Sequence, residues 1–455
     1  MKTIFARKAY VEGIWEQNVR LNIDKGLIKS IDHNTEYFNG DTMASLVVPG
    51  ICNAHSHAFQ RALSGHTEHK SASNKQDNFW TWRDSMYRLT SKLDAKNLAD
   101  IATQAYVEMV ASGYTSVVEF HYLHCKTDND DFSIPMFEAL LQAANDSGIR
   151  LIYIPILYER AGFKGEELSS HQKRFSLSLD QFFDHYDSVK KNINWPHSIG
   201  IGAHSLRTVT CESLREIEVV SNKDQIPLHI HVAEQEMETI ECVDVYNTTP
   251  VNWLLDNFDI NRQWCLIHAT HMNTKETTEL AKSGATACLC PSTEANLGDG
   301  LFNLQLYLEN SGNIAIGSDS NISINPFEEL RWLEYGQRLL TGKRNISKKL
   351  NLSSGNALFD YISLGGSHVS GNNLIGSLGE GSVADLIVMD DSSPMFAGHN
   401  TDTLFDALIF SGVNVPIQNV MVNGEWHVTD GKHRALDLAR HNYAKQVTQM
   451  FKSVN

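Results

Sequence analysis

The sequence predicts an α/β fold: a (β/α)8 TIM-like barrel carrying a small composite β-sandwich domain made from its two ends. Three observations predict it. Between residues 47 and 317 eight apolar runs recur, separated mostly by helix-length segments, the alternation of a parallel barrel wrapped by helices. Short alternating runs with turn residues precede this stretch and return after it. Histidine or acidic residues stand at the ends of four of the eight runs, where such barrels keep their catalytic groups. A doubly wound open sheet shares the alternation, but no Gly-rich phosphate loop follows the first run.

Residues 1–46 contain Thr3–Phe5, Ile14–Val19 and Gly26–Asp32 around the turn Asp24-Lys25-Gly26, which reads as a small antiparallel sheet. The barrel is expected over 47–375. Its runs are Val47–His57, Thr115–Phe120, Ile149–Leu157, Ile199–Ala203, Pro227–Val232, Trp264–Ala269, Ala285–Cys290 and Asn313–Gly317. Over Asp94–Val110, Leu98, Ile101, Ala102, Ala105 and Met109 share one helical face, with Asp94 as cap. Gly113, Gly148, Gly284 and Gly312 each precede a run, as helix-stop glycines do. From 376 to 455 short strands return at Gly376–Leu378, Ala384–Met389, Val415–Val422 and Glu425–Val428, and a helix over Ala435–Lys452 closes the chain. Segments 1–46 and 376–455 therefore read as one composite β domain.

A chain of 455 residues has room for one large domain and a smaller one. Its 38 Lys+Arg against 54 Asp+Glu leave a net charge of −16, which argues against a general binder of nucleic acid or acidic membrane. No run approaches membrane-spanning length, and MKTIFARKAYVEG lacks an apolar signal core. Seven scattered cysteines suit reduced thiols in the cytoplasm. Cys288 and Cys290 alternate with Leu289 and read as strand residues.

The chemistry begins at VPGICNAHSHAFQ (48–60). On a strand over Ile51–His57, His55 and His57 point to the same face, and paired neutral imidazoles can grip a metal ion. The fifth run ends with His229, His231 and Glu234, the sixth with His268, and Asp319 follows the eighth. Taken singly, a histidine after a strand is a hydrogen-bonded core residue and Asp319 a turn cap. Their convergence on one barrel rim favours a metal site instead. His55, His57, His231 and Asp319 are the expected ligands, a set suited to Zn2+ or a similar divalent ion with one position left for water. Such an ion lowers the pKa of its water to about 7. Glu234 lies three residues beyond His231, so the chain must turn for both to face the centre. It then suits a proton carrier, and His268 suits stabilising charge in a tetrahedral intermediate. No lysine follows Thr115–Phe120 or Ile199–Ala203 as a carboxylated bridge, which favours a mononuclear site.

This set resembles the amidohydrolase superfamily in its deaminase branch. Within that branch NAHSHAFQRALSG (53–65), FWTWRDSMYR (79–88), EFHYLH (119–124), HSLRTV (204–209), HIHVAEQ (229–235), CPSTEANLGDG (290–300) and GSDSNISINPFEELRWLEYGQR (317–338) are similar to the formimidoylglutamate deiminase family. The resemblance implies zinc-dependent hydrolysis of N-formimidoyl-L-glutamate to N-formyl-L-glutamate and ammonia, in histidine degradation. It implies one zinc on His55, His57, His231 and Asp319, with Glu234, His268 and Asp319 catalytic, Asp319 taking a proton from water. It also implies that Gln60, Arg83, Tyr122, His204 and Arg207 hold the substrate, and that the chain forms a homodimer. Paired arginines suit a small anionic substrate with two carboxylates. Arg83 has a plain reading as a surface residue, and Tyr122 and Gln60 as packing. Trp80 and Trp82 read as pocket wall. Two positions depart from the family pattern: Ala203 stands where proline is expected and Cys125 where a second histidine is usual. The alternatives are a deaminase of a heterocycle such as guanine or cytosine, and a non-catalytic metal-binding scaffold. A neutral ring needs no carboxylate clamp, and a scaffold needs no proton carriers.

Overall fold

A computed structural model describes residues 2–68, 77–125, 134–347, 349, 351–412 and 414–452. Four strands come first: β1 (Lys2–Val11), β2 (Ile14–Asp24), β3 (Leu27–Asp32) and β4 (Thr42–Pro49). Pro49 and Gly50 then separate β4 from β5 (Ile51–Ser56), so the single run expected over Val47–His57 is two strands in two different sheets. The cause is local. Gly50 lies so close to Thr115 that a Cβ would sit 2.3 Å from its hydroxyl oxygen, and the Gly50 N–H donates to the Asp385 carbonyl (2.9 Å).

The barrel strands are β5, β6 (Tyr114–His121), β7 (Arg150–Leu157), β8 (Ser198–Ile199), β9 (Ile201–Ser205), β10 (Leu228–Val232), β11 (Trp264–His268), β12 (Thr286–Leu289) and β13 (Asn313–Ile316). They run parallel in the order β5-β6-β7-β9-β10-β11-β12-β13, with the short β8 beside β7. Every residue of β6 and β7 is buried, as expected of strands covered on both faces. First and last strands meet just beyond their ends. Ser56 and Asp319 form a parallel bridge, the His57 N–H donates to the Asp319 carbonyl (2.9 Å), and the Asp319 N–H donates to the His55 carbonyl (3.0 Å). Helix Ser354–Ser370 lies against this seam through two small residues. A Cβ on Gly365 would meet the Ile314 carbonyl oxygen at 1.9 Å, and one on Gly366 would meet Cys52 Cβ at 2.7 Å.

The second sheet draws on both ends of the chain. Strands β14 (Leu386–Met389), β15 (Ile417–Val422), β16 (Glu425–Thr429) and β17 (Lys432–His433) complete the order β17-β16-β15-β14-β4-β1-β2-β3. All neighbours are antiparallel except β1 and β4. One face encloses its own core of Ile4, Leu21, Ile28, Val47, Leu386 and Met421. From the other face Leu46, Val48, Ile387 and Met389 join the barrel core. No strand forms at Gly376–Leu378; Leu378 is instead buried as a plug in the sheet's own core. Helix Ala95–Ser112 begins where Asp94 accepts the Asn97 N–H and ends at Gly113 with φ +104°. The closing helix Leu436–Lys452 packs on it, with Gln446 Nε2 donating to Asp100 (2.9 Å).

Gly365→Ala should destabilise the fold by about 1–3 kcal/mol, the usual range for overpacking a tight contact. Chemical denaturation checks this, with wild-type stability as the result that would discount the close helix–seam contact.

Candidate active site

Strand ends bring the chemistry together. His55 and His57 leave β5 on one face, His231 closes β10, His268 ends β11, and Asp319 follows β13 across the seam. The Nε2 atoms of His55 and His231 face each other at 3.1 Å. Asp319 Oδ1 is 3.5 Å from His55 Nε2 and 3.3 Å from His57 Nε2. Remote ring nitrogens set the tautomers. His57 Nδ1 donates to the Phe120 carbonyl (2.8 Å) and His231 Nδ1 to the His204 carbonyl (3.1 Å), which leaves both Nε2 lone pairs directed inward. Burial first, and the neighbouring His55 next, hold His57 down to about 3, and His231 is likewise held well below the usual histidine range. Asp319 stays ionised: burial pushes its pKa up, but the hydrogen bond from His55 and the surrounding histidines hold it below the usual carboxylate range. Three imidazoles and one carboxylate, all buried and converging, fit a divalent cation such as zinc.

The turn needed after His231 is present. Ala233 has φ +50°, which swings Glu234 back toward the centre. His268 (φ +67°), Ala269 (+48°) and Asp319 (+43°) also lie in the left-handed region, where non-glycine residues are uncommon. His268 Nε2 is 3.8 Å from Glu234 Oε1 and 3.7 Å from Asp319 Oδ2. Burial pushes Glu234 up to about 7, partly offset by His268. Burial opposes charge on His268, yet Glu234, Glu294 and Asp319 hold its pKa well above the usual histidine range.

A cavity of about 280 Å³ opens above these groups. Gln60, Arg83, Tyr122, His204 and Arg207 all line it, together with His57, His231, Glu234, His268 and Asp319. His55 is fully buried beneath. Gln60 sits on the 3-10 turn Ala58–Leu63 and donates to the Tyr122 hydroxyl (3.0 Å). Arg83, on helix Phe79–Thr90, stacks its guanidinium over Trp80 at 4.2 Å. Arg207 Nη2 lies 3.8 Å from the buried Glu238 carboxylate. The Nε atoms of both arginines are buried without a hydrogen-bond partner among the described residues.

Other residues carried no assigned role in the sequence. Glu294, on helix Pro291–Leu297, accepts the Cys290 N–H (2.9 Å) and His268 Nδ1–H (3.2 Å), orienting the ring. Its signal was an acid four residues past the seventh run. Glu119 accepts the Ala58 N–H (2.7 Å) and fixes the chain just after His57. Asn53 accepts the Ser318 N–H (3.0 Å), and Asn321 Nδ2 donates to the His57 and Asp319 carbonyls (3.0 and 3.1 Å). These amides brace the seam, and no spacing rule announces them.

Such a barrel, with histidines on its first and fifth full strands and an aspartate after its last, defines a class. The amidohydrolase family model matches residues 46–427, and the chain belongs to that family. A formimidoylglutamate deiminase from Pseudomonas aeruginosa is 40% identical over 438 residues, covering 95% of this chain and 96% of that protein. An 8-oxoguanine deaminase from the same species is 26% identical over 415 residues, covering 88% and 86%. The crystal structure of an amidohydrolase from Brucella melitensis matches with a TM-score of 0.95 at 36% identity, covering 99% of this chain and all of that one.

Glu329 anchors the helix that presents Glu294, accepting the Ser292 N–H (2.9 Å) and hydroxyl (2.5 Å). Burial raises its pKa from 4.5 to about 8. The folded state therefore binds the proton more tightly than the unfolded one, and stability falls as pH rises from about 4.5 to about 8. Glu329→Gln should flatten that part of a denaturation-versus-pH profile; an unchanged slope would assign the dependence elsewhere.

Proposed function

We propose that this chain hydrolyses N-formimidoyl-L-glutamate to N-formyl-L-glutamate and ammonia, with one zinc ion held by His55, His57, His231 and Asp319. One observation carries the reading: Arg207, buried, and Arg83, half-buried, line the same cavity as the histidine–aspartate cluster, each with an Nε that has no hydrogen-bond partner among the described residues. A linear amidine bearing carboxylates fits that pairing of chemistries, and a neutral heterocycle leaves the arginines unused. The Pseudomonas aeruginosa relative, named for this activity, supports it.

When bound, the cation supplies Lewis acidity and makes water a nucleophile near neutral pH. Asp319, kept ionised, accepts a proton from the attacking water. Water adds to the formimino carbon, and the bond to the terminal nitrogen breaks. Glu234, with a pKa near neutrality, carries protons to that nitrogen, which leaves as ammonia. His268, charged and oriented by Glu294, stabilises the negative charge that develops at the carbon's new substituent. Gln60, Tyr122 and His204 position the substrate, and the arginine forks bind its carboxylates. The 1–46 and 376–455 segments form the companion domain. A homodimer acting in cytoplasmic histidine degradation is the setting we assign. No described helix is long and apolar enough to cross a membrane, and Cys52, Cys211, Cys242, Cys265, Cys288 and Cys290 are free thiols.

Purified zinc-loaded protein should release ammonia from N-formimidoyl-L-glutamate and not from guanine or cytosine. Release from a heterocycle alone would keep the metal chemistry and overturn the substrate. Arg207→Ala should lower kcat/KM for the anionic substrate by at least about tenfold, as loss of a charged hydrogen bond does. Glu234→Gln should keep zinc, measured by elemental analysis, while lowering kcat at least about a hundredfold; retained turnover would remove its role.

A further inference from the structure

We infer that Tyr158 is a specificity-determining residue, its phenolic O–H donating to a substrate carboxylate bound between Arg83 and Arg207. The inference rests on the anionic-substrate reading above and deepens it. Tyr158 follows β7 at the barrel rim, is 6% exposed, and lines the cavity with both arginines. Its ring packs edge-on against His204, with centroids 5.0 Å apart, and lies 5.9 Å from Phe175. The hydroxyl is therefore held in one place.

Gln172 decides where the phenolic proton points. Its Oε1 accepts the Ser169 N–H (3.0 Å), so its amide nitrogen is the end left for Tyr158. Gln172 Nε2 donates to the phenolic oxygen at 2.8 Å. An amide nitrogen is a donor only, so Tyr158 cannot spend its own proton there. The Tyr87 hydroxyl is also within reach of this hydroxyl, and the charges of Arg207 and Arg83 bear on it. Among the described residues no carbonyl or carboxylate takes the Tyr158 O–H. An anionic oxygen in the cavity is a stronger acceptor for that proton than a neighbouring hydroxyl.

The guanidinium Nε atoms of Arg83 and Arg207 are buried without a hydrogen-bond partner among the described residues. Tyr158 thus completes a subsite made of donors alone. A carboxylate offers about four acceptor sites and no N–H, which matches it. A carboxamide brings two N–H donors of its own and is rejected by the same geometry. The subsite therefore selects the acid over the amide at that end of the substrate.

Tyr158→Phe keeps the ring and removes only the donor. In the full-length, zinc-loaded enzyme it should raise KM for N-formimidoyl-L-glutamate by about ten- to a hundredfold, more than it lowers kcat. Calorimetry with N-formyl-L-glutamate and with glutarate should show affinity weakened by a similar factor, and the preference for an acid over its monoamide should narrow. Gln172→Leu, which leaves Tyr158 in place but frees its proton to turn, should give a smaller loss in the same direction. Wild-type affinity for both ligands in Tyr158→Phe would overturn the inference even if turnover of the formimino compound persists. If wild type releases no ammonia but binds glutarate, and Tyr158→Phe weakens that binding, the subsite stands and the substrate reading falls. Failure of wild type to bind either dicarboxylate would overturn both.

Discussion

The two backbone hydrogen bonds that join β5 to the segment after β13 govern the rest of the site. The His57 N–H reaches the Asp319 carbonyl, and the Asp319 N–H reaches the His55 carbonyl. Residues separated by more than 260 positions in sequence are thereby locked in one register, and the two His-x-His imidazoles meet the carboxylate of Asp319 at 3.3–3.5 Å. Gly317 permits the approach: a Cβ there would lie 2.8 Å from the His55 carbonyl oxygen. Asn53, Ser318 and Asn321 tie the same seam with side-chain hydrogen bonds of 2.6–3.1 Å. Closing the barrel and assembling the ligand set are one event.

Burial then sorts the charges. In the dry floor of the barrel the ring nitrogens of His57 and His231 stay neutral and Asp319 stays ionised, which is the protonation pattern a cation requires. One step above, Glu234 titrates near neutrality and His268 holds its proton. The difference between His231 and His268 lies in their neighbours: other histidines surround His231, whereas Glu234, Glu294 and Asp319 face His268. The left-handed backbone at Ala233, His268, Ala269 and Asp319 costs roughly 1–3 kcal/mol per residue. The closely packed barrel sustains it, and the turns at Ala233, His268 and Asp319 bring Glu234, His268 and Asp319 to the cavity.

Much of this was legible in the chain. Eight apolar runs with helix-length spacers are enough for a parallel barrel, because strands buried on both faces must be continuously apolar. His55 and His57 were legible because strand geometry has a period of two. His231, His268 and Asp319 were legible because each ends such a run. The division of Val47–His57 at Gly50 was not, since both halves are apolar and only the contact with Thr115 shows that they enter different sheets. Leu378 looked like a strand residue because burial, not pairing, sets its apolar character. Glu294, Glu119, Asn53 and Asn321 act through side-chain hydrogen bonds specific to the folded geometry, and such bonds leave no periodic trace.

By itself, then, the sequence determined the class of fold, the ligand types and the side chains able to carry protons, since these follow from local periodicity and from the chemistry of each residue. The tertiary structure alone decided which groups face one another, which tautomer each histidine adopts and which carboxylates stay charged. It also decided where the Tyr158 proton points. Each of those depends on distances and burial created by segments far apart in the chain, and a pKa or a hydrogen bond exists only once those distances do.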